Sequence, residues 1–153
     1  MIRKKEIICF ISSGGGHLTE LINASSLITH YPHFFVTINL PHISSSLEGK
    51  EVYYILDPHT SIFKYFINFI QALKIYLKKR PKIIITTGAG IAIPMCVIGK
   101  LFGSKIVYIE SGARVNFPSK TGKFMYKIAD LFIVQWKPLL KRFPNAVYGG
   151  PLF

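Results

Sequence analysis

Apolar positions along the chain fall into short runs that alternate with longer periodic stretches. Glu6–Ser12 is a compact isoleucine-rich run, the pattern of a strand buried on both faces. Ser13-Gly14-Gly15-Gly16 breaks it, and His17–His30 then places Leu18, Leu21, Ile22, Leu27 and Ile28 at helical spacing. Further strands are predicted over His33–Leu40, Glu51–Leu56, Lys82–Thr87, Lys105–Ile109, Leu131–Gln135 and Ala146–Tyr148. Helices are predicted over Thr60–Lys79, Ile91–Phe102 and Ser119–Ala129, with Pro94 acceptable only in a first turn. The serine-rich Pro41–Gly49 reads as a mobile loop. Strands separated by helices imply right-handed βαβ units. The fold class is therefore α/β: a Rossmann-like, mostly parallel sheet with helices on both faces. No repeat, low-complexity tract or linker divides residues 1–153, which read as one domain.

In such sheets a ligand sits beyond the carboxyl ends of the strands, and three loops converge there: Ser12–His17, Thr86–Gly90 and Glu110–Arg114. In the first, Gly14, Gly15 and Gly16 let a backbone approach a ligand closely, and the helix behind them presents free N–H groups that favour phosphate. A tight strand-to-helix turn is the alternative, but three consecutive glycines exceed that need. The dinucleotide pattern G-x-G-x-x-G fits Gly14 and Gly16 and fails at Thr19, no acid closes the second strand, and a Walker sequence is absent. His17 can take a proton from a hydroxyl nucleophile, hydrogen-bond a phosphate, or only cap the helix. The loop Thr86-Thr87-Gly88-Ala89-Gly90 repeats the strand–glycine–helix arrangement and reads as the opposite wall of one site. Glu110, ending a buried strand, can pair with Arg114, accept sugar hydroxyl bonds, or act as a base.

Composition narrows the partner. Hydrophobic residues make up 50% and charged residues 17%, which excludes disorder as the main state. Residues 1–73 are neutral overall, and fourteen bases against Glu110 and Asp130 in residues 74–153 carry all of the net +12. That asymmetry suits an anionic partner: a membrane surface, a phosphorylated substrate or nucleic acid. No helix-turn-helix, RNA-recognition or zinc-finger pattern supports nucleic acid. Neither C-x-x-C nor H-E-x-x-H occurs, so the sequence carries no metal signature and implies no cofactor. Cys9 and Cys96 lie in apolar runs, as thiols of a reducing compartment do. Arg3-Lys4-Lys5 precede an apolar run too short for a signal peptide, and Thr86, Thr87, Gly88, Gly90 and Pro94 interrupt the other long apolar stretch. The expected location is cytoplasmic, with peripheral attachment to a membrane. The attaching element is the helix Thr60–Lys79. Its polar residues Lys64, Asn68, Gln71, Lys74 and Lys78 fill an arc of about 120°, leaving apolar surface beyond what packing on a sheet requires. Lys78, Lys79, Arg80 and Lys82 follow, so the helix reads as an anchor on anionic lipid; packing on two sides within the protein is the alternative.

Four motifs occur in order: Ser12-Ser13-Gly14-Gly15-Gly16-His17-Leu18, Tyr108-Ile109-Glu110-Ser111-x-Ala113-Arg114-Val115, Ala129-Asp130-Leu131-Phe132-x-Val134-Gln135-Trp136 and Tyr148-Gly149-Gly150. Together they resemble the acceptor-binding, membrane-associated subunit of the two-component N-acetylglucosaminyltransferase of asparagine-linked glycosylation. Its bacterial relatives, in the pattern of PssD and CpsF, make capsule and exopolysaccharide. The first two glycine loops are more distantly similar to the amino-terminal half of MurG. The resemblance implies one half of a GT-B glycosyltransferase, inactive without a donor-binding partner chain that brings the UDP-sugar. It implies sugar transfer to an undecaprenyl-diphosphate-linked saccharide at the inner face of the cell membrane. In that scheme Ser13, Gly14, Gly15, Gly16 and Arg114 hold the diphosphate, His17 is the candidate base, and Thr87, Gly88, Gly90 and Glu110 line the sugar side. The eukaryotic subunit's amino-terminal spanning helix has no counterpart in this sequence, which points to the bacterial branch. A non-catalytic scaffold that recruits and enhances a partner glycosyltransferase is the rival reading.

Overall fold

A computed structural model describes residues 6–152; the Arg3-Lys4-Lys5 cluster lies outside the described residues. Seven strands form one sheet: β1 (Ile8–Ser12), β2 (His33–Thr37), β3 (Val52–Tyr54), β4 (Ile83–Gly88), β5 (Lys105–Ile109), β6 (Leu131–Val134) and β7 (Val147–Tyr148). Their order is β3-β2-β1-β4-β5-β6-β7, and every neighbouring pair is parallel. The strand order reverses between β1 and β4, so the crevice of this sheet opens above those two strands. The connections are α1 (Gly16–Ser26), α2 (Pro41–Ser46), α3 (Ile62–Lys79), α4 (Ala92–Leu101), α5 (Lys120–Met125) and a 3₁₀ turn, Lys137–Lys141. Pro94 falls in the first turn of α4, where its missing N–H costs nothing.

One expectation fails in this layer. The segment read as a mobile loop, Pro41–Gly49, contains α2, with Pro41 in its first turn. Ile43 and Leu47, four residues apart, are buried against β1, β2 and α1. The serines obscured a helix that two apolar residues and an N-terminal proline specify.

The two faces of the sheet are covered unequally. Cys9, Ile11, Phe34, Ile84, Ile106, Tyr108 and Phe132 face α3, α4, α5 and the 3₁₀ turn. Ile8, Phe10 and Phe35 face α1 and α2. Beyond β4, among the described residues, only the end of α1 borders this second face: Ile85, Val107, Ile109 and Ile133, with Ala24, Leu27 and Leu152, line an apolar groove of about 280 Å³. Cys9 and Cys96 are free and buried, and burial pushes the Cys96 thiol up to about 12.

No helix among the described residues is long and apolar enough to cross a membrane. α3 turns a different side inward from the one its polar arc suggests. Asn68, Ala72, Ile75 and Tyr76 are buried. Asn68 Nδ2 donates to the Leu56 carbonyl at 2.7 Å, and Gln71 Oε1 accepts the Leu56 N–H at 2.8 Å. Two of the five polar residues thus pin the preceding loop. The outward side is apolar, with Ile62, Phe63 and Phe66 at 88%, 72% and 62% exposure.

Candidate functional site

The β1–β4 register aligns Ser12 with Gly88, so the two glycine loops leave adjacent strands at one level. His17, in the first turn of α1, is held there by β4. Its Nδ1 lies 2.9 Å from the Thr87 carbonyl, and the Thr87 hydroxyl donates to the His17 carbonyl at 2.6 Å. A carbonyl only accepts, so Nδ1 carries the proton, and in the neutral ring Nε2 keeps its lone pair. The cap of α1 is Gly15, with φ 71° and ψ −142°, so His17 is not the cap residue.

The ring borders a cleft of about 590 Å³ lined also by Ala89, Ser111, Arg114, Ser119, Lys120 and Lys123. Three cations and two serines border it, and no carboxylate lines it. Such a cleft suits a polyanion. Its back wall is strained: Gly88 has φ 111° and Ala89 φ 66°. A Cβ on Gly88 would stand 3.1 Å from the Tyr108 hydroxyl and 3.5 Å from His17 Cε1. This glycine is favoured by its positive φ and by the close approach of the Tyr108 hydroxyl, while the histidine ring stands at ordinary contact distance.

The other sequence-derived candidates divide by geometry. Gly15 and Gly16 have open space in front of them, which leaves the start of α1 accessible. Ser13 is half-buried beside them. A Cβ on Gly14 would instead meet Ile43 Cδ1 at 2.8 Å, so Gly14 makes room for α2. Gly90 makes room for the Tyr65 hydroxyl of α3. Thr87 is buried, and its hydroxyl serves His17. Arg114 is exposed at the cleft.

Glu110 does not pair with Arg114, nor does it line the cleft. It is fully buried and accepts from Ser111 N at 3.1 Å, Ser119 N at 3.1 Å and Ser119 Oγ at 2.9 Å. The Tyr108 hydroxyl donates to it at 3.3 Å, and burial together with the Glu110 charge pushes that phenol well above its ordinary value. Gly122 packs directly on its Oε2. This carboxylate anchors the start of α5, whose N-cap is Ser119, and so sets where Lys120 and Lys123 stand.

Sequence reasoning missed Lys120, Lys123 and Ser119 at the cleft and Glu20 behind it, and named Gln135 only within the third motif, without a role. Glu20 is 8% exposed on α1, and its Oε1 accepts the Gly112 N–H at 3.0 Å. A usable signal was present: a lone acid three residues after His17, next to the core residue Leu21.

With this geometry in place, comparison with known proteins gives a consistent result. The family model described as "Oligosaccharide biosynthesis protein Alg14 like" matches residues 55–152. A mouse protein named UDP-N-acetylglucosamine transferase subunit ALG14 is 31% identical over 140 residues, covering 87% of this chain and 60% of the mouse protein. The Kluyveromyces lactis protein of that name is 29% identical over 192 residues, covering 98% of this chain and 80% of its own. Among solved structures, Acinetobacter baumannii MurG superposes with a TM-score of 0.73 at 12% identity, over 87% of this chain and 42% of that one. Rickettsia bellii UDP-N-acetylglucosamine 2-epimerase superposes at 0.75 and 13% identity, over 96% and 45%. These last two likenesses show the fold, a Rossmann-like sheet of the GT-B kind.

Proposed function

The chain belongs to the Alg14-like family of oligosaccharide-biosynthesis proteins, and from that premise we propose that it is the acceptor-binding subunit of a two-component glycosyltransferase. A separate donor-binding chain brings a UDP-sugar, and the acceptor is a lipid-diphosphate-linked saccharide. One observation carries the reading: a histidine whose Nδ1 is committed to Thr87 stands at the mouth of a cleft bordered by Arg114, Lys120 and Lys123. The relatives' shared name supports N-acetylglucosamine as the sugar moved.

In this reading the acceptor diphosphate lies against the three cations and the open start of α1 at Gly15 and Gly16. Helix-terminal N–H groups have no intrahelical acceptor and favour such an anion. His17 Nε2 accepts the proton of the acceptor hydroxyl as its oxygen bonds to the anomeric carbon of the donor sugar. UDP leaves with the electrons of the broken C–O bond. The Thr87 carbonyl keeps the ring oriented and stabilises the imidazolium. A base placed this way contributes on the order of 10²–10⁴-fold in rate. The exposed apolar side of α3 rests on the membrane that holds the acceptor lipid. An undecaprenyl carrier, a role in capsule or exopolysaccharide synthesis, and the inner face of the cell membrane complete the proposal, and their support is the motif resemblance to bacterial proteins.

The test is reconstitution. The purified chain is mixed with a donor-binding glycosyltransferase chain from the same source, and sugar transfer to a synthetic lipid-diphosphate saccharide is measured. Transfer is expected from the mixture and from neither chain alone. Full transfer by the partner alone returns the scaffold reading.

A further inference from the structure

Glu20 lies three residues after His17 on α1, so both side chains leave the same side of the helix. Its carboxylate spends every contact on the loop after β5 and on the end of β6. Oε1 accepts the Gly112 N–H at 3.0 Å and the Ser111 hydroxyl at 3.5 Å, and Oε2 accepts Gln135 Nε2 at 3.3 Å. The Gly112 carbonyl accepts the Trp136 indole N–H at 2.7 Å, so this residue is gripped on both sides. Gln135 is fully buried; its Nε2 also reaches the Glu110 carbonyl at 3.0 Å, and its Oε1 accepts the Leu152 N–H at 2.8 Å. Asn23, one turn further along α1, holds the Leu152 carbonyl at 2.7 Å.

No cation pairs with Glu20 among the described residues. Burying an unpaired carboxylate is costly, and only well-placed donors offset the cost. If the position served only to pack α1 on the sheet, an apolar side chain would serve better. A carboxylate is an acceptor alone, and it suits a loop that presents an amide N–H, a hydroxyl and a side-chain amide. α1 therefore delivers the base to the cleft with one residue and fixes the opposite wall, which ends in Arg114, with the next turn.

We propose that Glu20 is a positioning residue: with Gln135 it sets the placement of Arg114 relative to His17 and ties that placement to the chain segment at Leu152. The inference rests on the reading of the cleft as an acceptor-diphosphate site.

The experiment uses the full chain alone, with amide exchange followed residue by residue and inorganic pyrophosphate as the probe of the cleft. In Glu20→Ala, exchange at Gly112 is expected to accelerate by about tenfold or more while Phe35 and Val36 in β2 keep their protection. The pyrophosphate Kd is expected to rise about tenfold. Glu20→Gln retains an acceptor for Gly112 and is expected to restore most of that protection. Unchanged Gly112 exchange overturns the proposal, and so does an equal acceleration at Gly112 and in β2, which marks a merely structural role. If Glu20→Ala does not fold, Gln135→Met is measured in its place, and unchanged exchange at Gly112 and Leu152 there overturns the proposal equally. Absence of pyrophosphate binding to the unsubstituted chain counts against the diphosphate reading of the cleft, while Gly112 exchange still decides the role of Glu20.

Discussion

At His17 the side chain and the backbone are fixed by one residue, since Thr87 accepts from the ring and donates to the His17 carbonyl. Removing the ring leaves the backbone half of that grip in place. His17→Ala is therefore expected to fold with a loss of about 1 kcal/mol for one hydrogen bond, while turnover of the reconstituted pair at saturating acceptor falls by roughly 10²–10⁴-fold. Near-normal turnover in a folded His17→Ala pair removes His17 from the mechanism. The glycines separate by the same kind of argument. Gly88→Ala meets both a positive φ and the Tyr108 hydroxyl, and thermal unfolding is expected to show a loss of about 1–3 kcal/mol. Gly16 is the first residue of α1 and faces open space, so Gly16→Ala is expected to keep the melting temperature or raise it, worth up to about 1 kcal/mol. If phosphate approaches that backbone, acceptor use nevertheless falls; unchanged acceptor use would place the diphosphate on Arg114, Lys120 and Lys123 alone. The sequence singled out His17 and Arg114 because a loop after a strand is read from local pattern, and the fold brings both to one cleft. Glu110 was misread because its partners, Ser119 and the start of α5, come nine residues later and only the fold brings them back. Glu20 was missed because its partner Gly112 lies 92 residues away.

Elements were more legible than contacts. All seven strands appear where short apolar runs predict them; in β1, β2 and β4 the run is nearly continuous because those central strands are buried, while the edge strands β3 and β7 are short and partly exposed. Some ends run shorter than the apolar runs, as in β2, which stops at Thr37 while the pattern continues to Leu40; β5 keeps the predicted bounds. α2 was hidden by serines, whose side chains compete with the backbone and lower helix propensity. In α3 the sequence showed that apolar surface was in excess, and the structure shows which side bears it. Asn68 and Gln71 face the loop at Leu56, so the solvent side is left to Ile62, Phe63, Phe66 and Leu77. These side chains touch little of the protein. Replacing Phe63 and Phe66 by Ser is therefore expected to leave the melting temperature nearly unchanged and to abolish most co-sedimentation with anionic vesicles. The remaining binding, carried by exposed bases such as Lys74 and Lys78, is expected to fall with salt. Vesicle binding equal to that of the unsubstituted chain would assign this face to a protein partner instead.

For the molecule as a whole, the question is how the anion cleft and the apolar side of α3 relate. They meet at the loop after β4. Ala89 lines the cleft, and the next residue, Gly90, is packed under the Tyr65 hydroxyl from the first turn of α3. The first turn of α3, which carries exposed Ile62 and Phe63, is thus tied to the loop that lines the cleft. A lipid-linked acceptor places its diphosphate at the membrane surface, so a protein resting on α3 would hold its cleft at the height of that headgroup. In the proposed arrangement docking would act as a local-concentration effect and not as part of the chemistry, since tethering turns a second binding event into an intramolecular one. This separates two acceptors that carry the same saccharide. With the reconstituted pair, Phe63→Ser/Phe66→Ser is expected to raise the apparent KM for a long-chain acceptor in vesicles by about 10-fold or more. For a short-chain, water-soluble acceptor both kcat and KM are expected to stay within about twofold, because no residue of the cleft has changed. Equal losses on both acceptors would mean that the two phenylalanines support the cleft through the Tyr65–Gly90 contact and that α3 does not lie on the membrane. A loss in kcat with KM retained would place them in communication with His17 and would overturn a docking role separate from the chemistry.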